Sequence, residues 1–354
     1  MRPDRALDGT ALLRLKSGLQ LRLGNLAAAL GLVAAAAALG GLSIGIGVTS
    51  IGPTTLLEAL TGSAIGQDQA FALWTVRLPH ILIGFMAGWS VALSGAMLQS
   101  LARNPLADPG LLGLSQGSMV TILVLLLAVP SAPLGLVPLA AIVGGVAVAG
   151  LLIGLTSGGR GDGLAILLMG IALESALSSV TSILILYTPP ETSYAVSDWM
   201  AGSLFQASWA AIAALAPWFA LSLPAILLIG RTTPAYDLGD EMAMAIGEPV
   251  RWSKPVILLV AVLLTSTAVT AVGPLVFLGV MAPHLAEGIS RAFGRARLIL
   301  SGLMGGLLVV AADALTRALA SDIALPVGTS VTVIGVPLFV ISLRLRALRR
   351  LQAQ

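Results

Sequence analysis

RTTPAYDLGDEMAMAIGEPVRWSK, Arg231–Lys254, is the longest polar interruption between apolar segments in the second half of the chain. A helix signal lies inside it. Asp237 can serve as N-cap, with Asp240 and Glu241 in the first turn, where carboxylates complement the positive helix end. Leu238, Met242, Ala245 and Ile246 recur at helical spacing and form one apolar stripe. Gly247 and Pro249 then end the helix. So short a helix is marginal alone in water and needs packing to hold it. The residues leave two readings open, a docking surface and an ordinary capped loop helix.

What flanks this stretch decides the fold class. The chain is 57% hydrophobic and 10% charged, with a mean hydropathy of +0.99. No soluble domain of this length needs so much apolar surface, so the expectation is an all-α polytopic membrane protein. The 40 glycines suit closely packed membrane helices. The absence of cysteine excludes disulfides, thiolate metal sites and cysteine nucleophiles. A pI near 9.8 does not imply nucleic-acid binding, because the basic residues line the loops between apolar runs.

About ten spans are expected, near 26–48, 78–101, 110–129, 137–156, 164–187, 209–230, 255–272, 275–290, 298–320 and 326–343. Residues 1–25 read as a cytoplasmic N-terminal tail, 26–343 as the transmembrane domain with the loop 231–254, and 344–354 as a cytoplasmic C-terminal tail. The first apolar run is long enough to span, which disfavours a cleaved signal peptide. Placing both termini in the cytoplasm puts 17 of the 19 Lys and Arg residues on that side, all but Arg77 and Arg317. The positive-inside rule favours this orientation in the cytoplasmic (inner) membrane.

Several chemistries lack their residues. No G-x-x-x-x-G-K-[ST] stretch occurs, so the chain is not expected to bind ATP through a P-loop. There is no H-E-x-x-H and no G-x-S-x-G. His80 and His284 fall on opposite predicted faces, so no shared metal site is expected. No catalytic residue is assigned. Glu174 and Asp313 are the charges within spans and could carry an ion or proton, making an ion-coupled secondary transporter the rival class. The structural reading is favoured for both, since Asp313 has Arg317 one helical turn away.

Two blocks then carry a resemblance. The first is Arg77–Gly117, RLPHILIGFMAGWSVALSGAMLQSLARNPLADPGLLGLSQG. The second is Gly273–His284, GPLVFLGVMAPH, followed by Ala311–Asp313 and by LPVG at Leu325–Gly328. Over about residues 70–343 the chain resembles the FecCD permeases. These are the membrane subunits of type II ATP-binding-cassette importers for ferric siderophores, haem and cobalamin.

The resemblance implies ten helices with both ends cytoplasmic, and a coupling helix at Leu238–Gly247. That helix (Leu238, Gly239, Asp240, Glu241, Met242, Ala245, Ile246, Gly247) would sit in a groove of the ATPase. It further implies docking of a substrate-binding protein at Arg77 and Arg317, with His80 replacing the second arginine of the family's R-L-P-R. The gate or pathway would involve Gly163, Leu164, Glu174, Ser175 and Ser178; the serines at this spacing serve equally as helix–helix contacts.

The implied substrate is a ferric-siderophore-type chelate, with haem or cobalamin as alternatives. The implied partners are a dimeric cytoplasmic ATPase, a second permease (identical or paralogous), a periplasmic or lipid-anchored binding protein and the lipid bilayer, with no nucleic acid. ATP and Mg would be bound by the ATPase, and no cofactor by this chain.

Overall fold

In a lipid environment a segment's N–H and C=O groups must be paired within the protein, which for an apolar run means helix. The structure, a computed structural model, describes residues 2–5, 11–14, 20–47, 49, 51–63, 65–133, 135–156, 163–188, 196–319 and 325–352. Three short strands, β1 (Arg2–Arg5), β2 (Ala11–Arg14) and β3 (Gln20–Arg22), form an antiparallel meander. The reading of 1–25 as a tail gave no sign of it.

The helices follow: α1 (Leu23–Gly45), α2 (Pro53–Thr61), α3 (Gln67–Ala102), α4 (Leu114–Ala128), α5 (Leu136–Thr156) and α6 (Gly163–Leu186). After them come α7 (Trp209–Asp237), α8 (Asp240–Ala245), α9 (Val250–Val272), α10 (Leu278–Ile289), α11 (Gly294–Leu319) and α12 (Val327–Gln352). Among the described residues, eight of these are long and apolar enough to cross a membrane. The expected span at 110–129 is the shorter apolar helix α4, of 15 residues, and the one at 275–290 holds the 12-residue helix α10. Counting both, the ten apolar segments are all present. Residues 157–162 and 189–195, in the connections that follow the spans expected at 137–156 and 164–187, lie outside the described residues.

The core is built around α3, whose spanning segment is 78% buried, with α11 at 72%. Glycine sets this packing. A Cβ on Gly95 of α3 would lie 2.2 Å from the carbonyl oxygen of Gly279 in α10, and one on Gly88 would lie 2.5 Å from that of Gly305 in α11. Only backbone fits between these helices, which is how small residues drive membrane helix association. Hydroxyls add polar links. Thr265 Oγ1 donates to Ser94 Oγ at 2.9 Å, Ser94 Oγ to the Ala261 carbonyl at 3.0 Å, and Trp89 Nε1 to Ser222 Oγ at 2.9 Å.

The sequence motifs converge in space. Gly273, at φ 73°, lies where a Cβ would sit 1.9 Å from the Trp199 carbonyl. The Gly328 N–H of LPVG donates to the Gly202 carbonyl at 2.9 Å. The GPLVF and LPVG segments are thus joined through residues 199–202.

Candidate functional site

Gly239 makes the turn into α8. Its φ of 100° is open to glycine and strained for other residues. Arg103 Nη1 would lie 3.1 Å from a Cβ there, so the turn rests on the end of α3. Asp237 is not the N-cap. It is the last residue of α7, and Gly239 holds the cap position without a side-chain bond. The polar stretch RTTPAYD was expected to be loop. Instead α7 continues through it, carrying Pro234 inside the helix, and Asp237 Oδ1 lies 3.6 Å from Arg297 Nη1.

The short helix α8 is clamped. Lys254 Nζ donates to Asp240 Oδ2 at 2.7 Å, joining its first turn to α9. Ala243 is fully buried. Tyr236 and Ser253 hydroxyls bond at 2.7 Å, linking α7 to α9. The outer side is apolar: Leu238 is 64% exposed, Met242 50% and Ile246 61%, and Met244, absent from the expected stripe, is exposed with them. Glu241, Ala245 and Gly247 are exposed as well. A rigid piece with a bare apolar face, at a level rich in Arg and Lys, has the form of a docking element.

Arg297 extends the connection inward. Its guanidinium donates to Ser100 Oγ at 2.9 Å and to Gln99 Oε1 at 3.0 Å, and Gln99 Nε2 donates to the Gly279 carbonyl at 3.1 Å. Asp237, three residues before α8, is thus linked through Arg297 of α11 to α3 and α10. Arg103 and Arg297 took no part in the expected site; the polar run around α8 marked the region but not these partners.

At the far end of α3 the structure brings Arg77, His80 and Arg317 together, with Asp313 among them. Arg77 and Arg103 are 26 residues apart in sequence, or roughly 39 Å of helix, which is about a bilayer with its headgroups. Arg77 is 4% exposed. Its guanidinium donates to the carbonyls of Ile44 and Thr49, so in this conformation it faces inward. Arg317 Nη2 lies 2.5 Å from Asp313 Oδ2 and donates to Ser43 Oγ. His80 Nδ1 is 3.7 Å from Asp313 Oδ1. Asp313 is thus ion-paired, as the one-turn spacing to Arg317 led one to expect.

Helix α6 holds the expected gate and pathway residues. Gly163 and Leu164 open it. Glu174 is half-buried, Ser175 exposed and Ser178 half-buried, while Ser179 Oγ bonds the Ser175 carbonyl at 2.9 Å. Its span is only 11% buried. A helix carrying a carboxylate and hydroxyls on so open a flank is poorly suited to bare lipid.

One buried carboxylate was missed. Asp108, in the connection between α3 and α4, is 1% exposed. Burial pushes its carboxyl up to about 6, against the pull of the amides of Gly110, Leu111, Gly279 and Val280. Oδ1 accepts from the Gly110 N–H at 2.7 Å; Oδ2 completes no well-formed hydrogen bond among the described residues. The D-P-G in the sequence marked a turn, not a carboxylate set against the start of α10. Among the described residues no three His, Asp or Glu side chains gather into a metal-holding group.

Comparison with known proteins fits this architecture. Residues 33–345 match the FecCD transport family. The chain is 34% identical over 299 residues to the Fe(3+) dicitrate transport system permease protein FecD of Escherichia coli (strain K12), covering 84% of this chain and 92% of that protein. It is 34% identical over 292 residues to the ferric enterobactin transport system permease protein FepG of the same organism, covering 82% and 87%. To the hemin transport system permease protein HmuU of Yersinia pestis it is 32% identical over 308 residues, covering 84% and 90%. A metal-chelate type ABC transporter solved in an inward-facing conformation shares the fold, with a TM-score of 0.78 at 24% identity, covering 89% of this chain and 98% of that one. The chain is a multi-pass membrane protein and belongs to the FecCD transport family.

Proposed function

We propose that this chain is the membrane-spanning permease subunit of an ATP-binding-cassette importer, and that it moves a ferric-siderophore-type chelate into the cytoplasm. The observation that carries the reading is α8, clamped on its inner side and bare and apolar on its outer side. In this reading α8 seats in a groove of a separate ATPase, which binds ATP and Mg. Closure of the ATPase dimer pushes α8 as a rigid unit, and the Arg103 contact at Gly239 and the Arg297 bonds carry the push into the core. The basic end of the bundle, with both chain tails, faces the cytoplasm of the inner membrane.

The end bearing Arg77, His80 and Arg317 faces outward and meets the substrate-binding protein. Arg317, partly exposed, is the better placed of the two arginines; Arg77 would need its carbonyl partners to move. The open flank of α6 lines a path shared with a second permease subunit. Such a path performs no covalent chemistry.

The names of the relatives support an iron chelate, and the hemin permease among them keeps haem as the second substrate reading. The 2.5 Å pair between Asp313 and Arg317 speaks for a structural role of that carboxylate over ion carriage. Co-expression with the neighbouring genes, gentle purification through a tag on this chain and mass spectrometry of what is retained tests the assembly. Recovery of an ATPase with one or two permease species is expected. Its absence, with uptake driven by a proton or sodium gradient, overturns the reading.

A further inference from the structure

A cavity of about 300 Å³ opens beside the α8 end of the bundle, at the low end of the range for small-ligand sites. Leu98 of α3, Leu152 of α5, Ile166 of α6 and Leu258 of α9 contribute to its apolar wall, and Arg251 and Lys254 border it. It shares Lys254 with the clamp on α8 described above. Two observations set its level. Trp252 is 72% exposed, next to Arg251, whose guanidinium lies 5.8 Å from the indole centre. An exposed tryptophan beside a cation, at the end of a spanning helix, belongs at the headgroup layer. From Trp252 to Leu258, which lies in the wall, α9 advances about 9 Å, so the cavity runs from the headgroup layer into the outer part of one leaflet's hydrocarbon half.

We propose that this cavity holds one acyl chain of an anionic phospholipid of the cytoplasmic leaflet, with the headgroup phosphate on Arg251 and Lys254. The assignment rests on the proposed function only for the side of the membrane. The apolar shaft suits the chain, and the two cations at its mouth suit the phosphate, the pattern by which basic pockets between membrane helices recognise anionic lipid. Neutral lipid offers the same chain but no net charge for the cations. The site also touches the proposed coupling element. Lys254 holds Asp240 in the first turn of α8 at 2.7 Å, so a phosphate drawing on the same ammonium loosens the clamp on α8. Lipid charge then tunes how firmly α8 is held.

The test uses the purified full chain in detergent, titrated separately with phosphatidylglycerol and phosphatidylcholine and read by native mass spectrometry. Wild type is expected to retain one phosphatidylglycerol in preference to phosphatidylcholine. Arg251→Gln should weaken that retention about fivefold. Leu258→Trp should abolish it by filling the shaft, with Arg251→Gln giving an answer even if this variant misfolds. Equal retention of both lipids, or retention unchanged by Arg251→Gln, overturns the assignment. Protection of Arg251 and Trp252 by a second copy of the chain, seen by crosslinking, also overturns it. The readout needs no transport, so its failure leaves the importer reading standing, and failed transport leaves the lipid site standing.

Discussion

Gly95→Ala is the sharpest test of how the core is held. The new methyl would stand 2.2 Å from the Gly279 carbonyl oxygen and 2.5 Å from the Gly279 Cα. Carbon and oxygen in close helix contact rest about 3.3 Å apart, so α3 and α10 must separate by about 1 Å. Overpacking of this kind costs about 1–3 kcal/mol. The Gln99 bond to the same carbonyl, 3.1 Å in the wild type, is stretched, for about 0.6 kcal/mol at the average measured between membrane helices.

Alanine returns about 0.5–1 kcal/mol by restricting the unfolded helix backbone. The net loss is about 2 kcal/mol, equivalent to a fall in Tm of about 3 °C for a chain of 354 residues. Gly150→Ala is the control: nothing lies within 4 Å of its Cβ position, so only the gain applies. Both variants are compared with wild type by thermal unfolding in one detergent. If Gly95→Ala melts with Gly150→Ala, the backbone-to-backbone packing of α3 on α10 is wrong.

Other outcomes follow from the same geometry. Met242→Asp places a charge on the bare face of α8 and should strip the ATPase from tag purifications while leaving Tm within about 1 °C, as for exposed substitutions. Asp313→Asn removes the carboxylate from Arg317 and His80 and should cost about 1–3 kcal/mol, less than a fully buried pair because Arg317 keeps Ser43; equal thermal stability would contradict the pairing. Asp108 should impose a pH dependence. Its folded carboxyl titrates near 6 and an unfolded one near 3.9. Its contribution to stability is therefore complete below about pH 3.9 and is lost as pH rises through about 6, by up to about 3 kcal/mol. Asp108→Asn should flatten that slope, measured as Tm against pH.

The apolar runs and their basic flanks were enough to place the ten segments, because membrane burial is written locally as composition. Partners distant in sequence were not legible. Arg77 was correctly separated from the basic cluster around α8, but its burial depends on the carbonyls of Ile44 and Thr49, 33 and 28 residues away. The polar run RTTPAYD read as loop, yet α7 runs through it to Asp237, where Arg297 lies nearby. The shortness of α4 follows from the 103–113 connection, whose Asp108 sits on the first turn of α10, a pairing that spacing cannot reveal. The expected apolar residues Leu238, Met242 and Ile246 are exposed around α8, but Leu238 precedes the Gly239 turn and Ile246 follows the last helical residue, so they do not form one helical stripe. The clamp beneath α8 was not legible, because Lys254 belongs to the next helix.

The most direct test of the whole account is uptake by proteoliposomes. They would contain this chain with its co-purified ATPase and permease partners, with labelled ferric chelate and the binding protein outside and ATP inside. Uptake should need ATP hydrolysis, stop with vanadate, ignore imposed proton or sodium gradients, and be lost with Met242→Asp. Uptake that follows an ion gradient without ATP, or survives Met242→Asp at the wild-type rate, would contradict the account.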